Sequence, residues 1–171
     1  MSTHQSTFSV GDWLSGRLPG DWFTGTSVTI DREEILIVGT IATPEPAAPE
    51  GEPAADAESG RIRRFREDTR ATRIEIAREL QERTGRKVSW GVTCGGTTET
   101  FTRLAVPVMT RLAQPQRQVL DTLVEAGVAR SRSEALSWCV RLVAQHEADW
   151  LAELEQAMGS LREARAKGPT G

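Results

Sequence analysis

Residues 106–145 read VPVMTRL, AQPQRQVLDTLVEAG, VAR and SRSEALSWCVRLVAQ, and a different local rule governs each piece. In the first, Val108, Thr110 and Leu112 alternate with Met109 and Arg111, the period of two that marks a short strand. A helix follows, with Pro115 in its first turn, where a missing N–H costs little. Its apolar positions Val119, Leu120, Leu123 and Val124 line one side, and Gly127 stands where a left-handed C-terminal residue belongs. A second helix opens at Ser131-Arg132-Ser133-Glu134, an S-x-x-E capping box. Ala135, Leu136, Cys139, Val140 and Val143 then recur at helical spacing.

This order and spacing over residues 106–146 resemble the ribbon-helix-helix family of the Arc and MetJ type. In that family a strand, a helix ending in glycine, a short turn and a helix with a serine-rich start form half of an intertwined dimer. Physical reasoning points the same way. A lone strand with two amphipathic helices cannot complete its ladder or cover its apolar faces, whereas two copies close a ribbon over one shared four-helix core. A homodimer is therefore expected.

The resemblance implies that the paired strands enter the major groove of duplex DNA, with Met109, Arg111 and Ala113 facing base edges. It also implies that the start of the second helix, at Arg132 and Ser133 with Arg130 beside it, holds a backbone phosphate. Met109 and Ala113 leave the outward face with a single arginine, so non-specific contact through Arg111, Arg117, Arg130, Arg132 and the helix at 61–73 is a further expected mode.

Downstream, residues 147–166 carry Trp150, Leu151, Leu154, Met158 and Leu161 at spacings near three and four, which predicts a carboxy-terminal helix that packs on the dimer or forms a short coiled coil. Upstream, residues 87–105 read as a β-hairpin turning at Gly95-Gly96. Residues 61–84 read as one helix ended by Gly85, with Ile62, Phe65, Thr69, Thr72, Ile76 and Leu80 on one face. Arg63, Arg66, Arg70 and Arg73 fall on one flank of that helix and make an auxiliary basic face. Residues 42–60, with four prolines and five acidic residues, read as a disordered tether. Residues 1–41 read as a separate small unit, in which a hairpin turns at Asp31-Arg32-Glu33-Glu34 and a loop carries Trp13 and Trp22.

Charge separates these parts. Residues 1–60 hold two basic and ten acidic side chains, residues 61–171 nineteen basic and fourteen acidic, so a net charge of −3 conceals a basic carboxy-terminal portion. The fold class expected is α+β. No cofactor is expected, and no metal either, because Cys94 and Cys139 form no CxxC pair and His4 and His146 lie far from them. Catalytic residues are not expected: there is no phosphate loop, nucleophile elbow or carboxylate pair. The amino terminus has no basic segment before an apolar run and no stretch is long enough for a membrane span, so the expected compartment is the cytoplasm. The function expected is a DNA-binding homodimeric regulator, either a transcription factor or antitoxin-like. The alternative is a structural dimer that recruits a protein partner through its amino-terminal region.

Overall fold

A computed structural model of the chain describes residues 8–43 and 54–167. It is mixed α+β and divides into two units, Met1–Pro107 and Val108–Gly171.

The first unit is one four-stranded sheet with helices. Helix α1 (Val10–Arg17) is followed by β1 (Gly25–Ile30) and β2 (Glu34–Ile41), then α2 (Ala54–Asp68), α3 (Arg70–Thr84), β3 (Lys87–Cys94) and β4 (Thr97–Thr100). The strands lie in the order β1-β2-β3-β4. β1–β2 and β3–β4 are antiparallel hairpins and the central pair β2–β3 is parallel. A parallel pair needs a long crossover, and α2 and α3 provide it.

This topology corrects the expected organisation. The two hairpins are not in separate units but form one sheet, and residues 54–60 are helix rather than tether. Glu58, read as linker, accepts hydrogen bonds from the Gly96 amide at 3.3 Å and the Thr97 hydroxyl at 2.6 Å. The part of the tether at 44–53 lies outside the described residues. The expected loop around Trp13 is α1, capped by the Ser9 side chain, which accepts from the Asp12 amide.

The core follows from the strand alternation. Ile35, Ile37 and Ile41 of β2 are buried beside Val88, Trp90 and Cys94 of β3, because parallel register puts Ile35 by Val88, Ile37 by Trp90 and Ile41 by Cys94. Onto this face pack Leu14 of α1, Ile62 and Phe65 of α2, and Ile76 and Leu80 of α3. Phe23 rests against Gly39, where an added Cβ would fall inside the Phe23 ring, so only glycine admits that close approach.

The helix expected over 61–84 is interrupted at Thr69. The Thr69 hydroxyl donates back to the Phe65 carbonyl at 2.6 Å and accepts from Arg73 Nε at 2.9 Å. Such back-bonding competes with regular helical geometry and bends the axis. The predicted inward face is nevertheless the buried one, since Ile62, Phe65, Thr69, Ile76 and Leu80 are all buried.

Three carboxylates in this unit are held below their usual pKa. The Arg17 hydrogen bond lowers Glu79, the backbone amides of Glu34 and Glu33 lower Asp31, and the Thr97 hydroxyl lowers Glu58. A carboxylate depressed in the folded state stabilises it above the unfolded pKa, and that contribution is lost as pH falls through the folded value. The urea midpoint of this unit is therefore expected to fall on acidification below the ordinary values of 4.5 for Glu and 3.8 for Asp. Glu79→Gln should flatten part of that dependence; an unchanged acid profile in the variant would remove Glu79 from this account.

The second unit holds α4 (Gln114–Glu125), α5 (Arg132–His146) and α6 (Ala148–Lys167). Its local signals act as the residues suggest. Gly127 adopts φ 75°, with the Val128 amide bonded to the Leu123 carbonyl and the Gly127 amide to that of Val124. These two bonds are a Schellman cap. Ser131 caps α5 by accepting from the Glu134 amide, and the Glu134 carboxylate accepts from the Arg130 amide.

Residues 102–113 form neither helix nor strand, so the expected strand at 108–112 is absent from the single chain. A strand is defined by its ladder, and no described segment of this unit lies alongside to complete one. Among the described residues, the buried core of the second unit is Leu120, Ala129 and Ala135, with Leu112, Leu123, Val124, Leu136 and Cys139 packed around it.

Candidate nucleic-acid interface

Along residues 108–112 burial does not alternate; only Leu112 is partly covered. Leu112 packs on the small core of the second unit, whereas Met109 is 97% exposed and Arg111 and Ala113 are also exposed. Val108, with the inward parity of Leu112, is 85% exposed. The segment runs into α4 through Ala113, whose extended backbone precedes the helix and whose amide donates to the Gln116 side chain at 2.8 Å. Arg117 donates to the Leu112 carbonyl at 2.7 Å and fixes the same junction.

The start of α5 is a shallow concavity of about 530 Å³ lined by Arg130, Ser131, Ser133, Glu134 and Ser137. The Arg132 and Ser133 amides make no hydrogen bond to the described residues, as the first turn of a helix leaves them. Both arginines are engaged. Arg130 Nε lies 3.2 Å from Glu134, and Arg132 meets Asp121 in a two-pronged pair at 2.6 and 2.7 Å. These hydrogen bonds raise the pKa of both arginines and lower those of Asp121 and Glu134. Spacing alone does not reveal this pairing, because Asp121 lies on the preceding helix and meets Arg132 only once the turn has closed.

In the first unit, Arg63, Arg66 and Arg70 remain together around a recess of about 390 Å³, with Glu67 on its rim. Arg73 is corrected: it is 7% exposed and faces inward. The bend at Thr69 turns its side chain under the sheet edge, where it donates to the Arg66 carbonyl at 2.7 Å and lies 4.7 Å over the Phe101 ring. Burial first, then the neighbouring charges of Arg66 and Arg70, pushes its pKa down to about 10. The ring and the carbonyl take the place of a carboxylate partner. Arg66 also lies over Phe101, at 5.3 Å, so one aromatic ring holds two guanidinium groups.

The tryptophan-bearing amino-terminal region contributes to the core. Trp22 makes edge contacts with Phe23, Phe65 and Trp90, and Trp13 packs against the same cluster. Cys94 is buried and its thiol pushed up by that burial, which gives it the character of an apolar residue. Among the described residues no group of three or more His, Cys, Asp or Glu could hold a metal ion, and no helix is long and apolar enough to cross a membrane.

Comparison with known proteins follows the same division of the chain. Residues 8–100 match the family model described as Rv1265-like protein, N-terminal domain, and residues 113–165 match the Mb1296 C-terminal domain. The protein Mb1296 of Mycobacterium bovis and the protein Rv1265 of Mycobacterium tuberculosis are each 58% identical over 159 residues, covering 92% of this chain and 69% of theirs. No solved structure matches. The unit boundary after Pro107 falls in the interval between the two matched domains, and with both domains present in order the chain belongs to the Rv1265-like family.

Proposed function

We propose that the second unit is half of a ribbon-helix-helix homodimer and that the dimer binds duplex DNA as a regulator, of transcription or in an antitoxin-like role. The observation that carries this reading is the mismatch between the apolar content of the second unit and its core. Three residues are buried, while Val108, Met109, Val119, Val128, Val140, Leu142, Val143, Trp150, Leu154, Met158 and Leu161 are exposed. A unit of this size with so small a core is not self-sufficient, and exposed apolar surface on this scale marks a contact. Pairing residues 108–112 with the same segment of a second copy completes the ladder and covers Val108.

In the dimer the outward side chains Met109, Arg111 and Ala113 contact base edges, with Met109 suited to a thymine methyl and Arg111 to guanine. The free amides of Arg132 and Ser133 hold a phosphate, which competes with Glu134 and Asp121 for Arg130 and Arg132. Those ion pairs are exposed, so salt and a polyanion both weaken them. Arg63, Arg66 and Arg70 add sequence-independent contacts. On this reading the protein works without catalytic residues or cofactor.

Fluorescence anisotropy of the full chain against pooled duplexes, titrated from about 50 to 200 mM salt, tests the proposal. Affinity should fall steeply with salt, and Arg111→Ala should reduce discrimination on a selected site by about 1–3 kcal/mol, roughly 5- to 150-fold. Absence of binding at the low-salt end overturns it. The closed pairs at Arg130 and Arg132 favour a second reading, a dimer that binds a protein partner instead. In that case the same chain binds no duplex and retains a specific protein.

A further inference from the structure

We propose that the recess around Arg63, Arg66 and Arg70 binds a phosphate monoester, the dianionic end of a small molecule. This goes beyond the reading above, since the site belongs to the first unit and needs neither a dimer nor DNA. The three arginines stand at steps of three and four across the end of α2 and the start of α3, and they still line one recess of about 390 Å³ after the bend at Thr69. Like charges at such spacing repel and destabilise a helix. Elsewhere in the chain the spacing serves compensation, with Arg78 meeting Glu82 and Arg130 meeting Glu134. None of Arg63, Arg66 and Arg70 forms an ion pair among the described residues.

Charge selects the occupant. Three guanidinium groups and the Glu67 carboxylate on the rim leave two positive charges uncompensated. A phosphate monoester carries nearly two negative charges at neutral pH, its second pKa lying at about 6, whereas each phosphodiester of a nucleic acid carries one. The phosphodiesters of a duplex also follow one another along a strand, while these arginines surround a single concavity. The planar fork of arginine matches phosphate oxygens in two-pronged hydrogen bonds. Two neighbours prepare the site. Arg66 is held over Phe101, at 5.3 Å, so less side-chain freedom is lost on binding. Arg73, buried beside it, shares that ring at 4.7 Å and donates to the Arg66 carbonyl rather than to a carboxylate. Its charge adds to the positive potential. Burial, then repulsion from Arg66 and Arg70, lowers its pKa to about 10, so the charges of the cluster act on one another. Occupancy competes with the sequence-independent DNA contacts proposed for these arginines, and that consequence alone rests on the DNA reading.

The test is a titration of the full chain with methyl phosphate at neutral pH in about 50 mM sodium chloride, read by nuclear magnetic resonance at the Nε–H groups of Arg63, Arg66 and Arg70. We expect saturable shifts at these groups with a Kd of about 1 mM or below. Dimethyl phosphate, which reproduces the singly charged nucleic-acid backbone, should bind about tenfold more weakly. Arg66→Gln/Arg70→Gln should weaken methyl phosphate binding by about tenfold or more, as seen at Arg63. Both side chains are exposed, so the first unit stays folded, and unchanged tryptophan fluorescence verifies that. Glu67→Gln should tighten binding several-fold, a change that a purely structural role for the arginines does not produce. Absence of saturation by about 10 mM, shifts confined to the start of α5, or no loss in the double variant overturns the proposal. Equal affinity for methyl and dimethyl phosphate also overturns it and assigns the arginines to a phosphodiester strand. The outcome of the duplex titration affects none of these results.

Discussion

Val108→Asp is expected to raise the dissociation constant of the proposed homodimer about a thousandfold while leaving the first unit folded. In the single chain Val108 is 85% exposed, so a monomer would tolerate aspartate there at almost no cost. In the proposed ribbon pair the same position would turn inward, with the parity of Leu112, toward the core formed by Leu120, Ala129 and Ala135. Each copy then loses the burial of one valine, about 1.5–3 kcal/mol, and the symmetric dimer loses it twice. A total near 4 kcal/mol corresponds to about three orders of magnitude in affinity. Sedimentation across a concentration series reads this directly. Equal dissociation constants for Val108→Asp and the natural chain would mean that this segment stays unpaired.

The second large effect lies in the other unit. Ile37→Ala should lower the stability of the first unit by about 2–5 kcal/mol, because Ile37 is fully buried on the central strand beside Trp90 and beneath α3. Ile74→Ala, on the outward side of α3 and 58% exposed, should stay within about 0.5 kcal/mol. Urea denaturation followed by tryptophan fluorescence distinguishes them, since Trp13, Trp22 and Trp90 report on this core. Similar midpoints for the two variants would contradict the face on which the helices are placed.

What could be read in the residues was local. The strands at Lys87–Cys94 and around Ile35 to Val38, the left-handed Gly127, the cap at Ser131 and the inward face of Ile62, Phe65, Ile76 and Leu80 all depend on rules that act within four residues. The parallel pairing of β2 with β3 did not show itself, because it joins segments about fifty residues apart across a proline-rich stretch that resembled a domain boundary. The bend at Thr69 was hidden for another reason. Its hydroxyl leaves the apolar periodicity intact while breaking the arc of arginines, so Arg63, Arg66 and Arg70 stay together and Arg73 turns inward.

The candidate site divides in the same manner. The capped start of α5 was legible because it follows from spacing, whereas the alternation read along 108–112 has no counterpart in burial, Val108, Met109 and Arg111 all being exposed. The closing of Arg130 by Glu134 and of Arg132 by Asp121 was not legible, since charge neutralisation depends on where two helices meet. Whether a polyanion opens those pairs decides between the two readings of the proposed dimer.

Amide hydrogen exchange over residues 108–112 of the full chain tests the central claim most directly. If two copies interlock through their ribbons, alternate amides in this stretch are protected on the order of a thousandfold and lose that protection on dilution below the dissociation constant. Five amides exchanging at the rate of an open chain, at concentrations where the protein is otherwise folded, would contradict it.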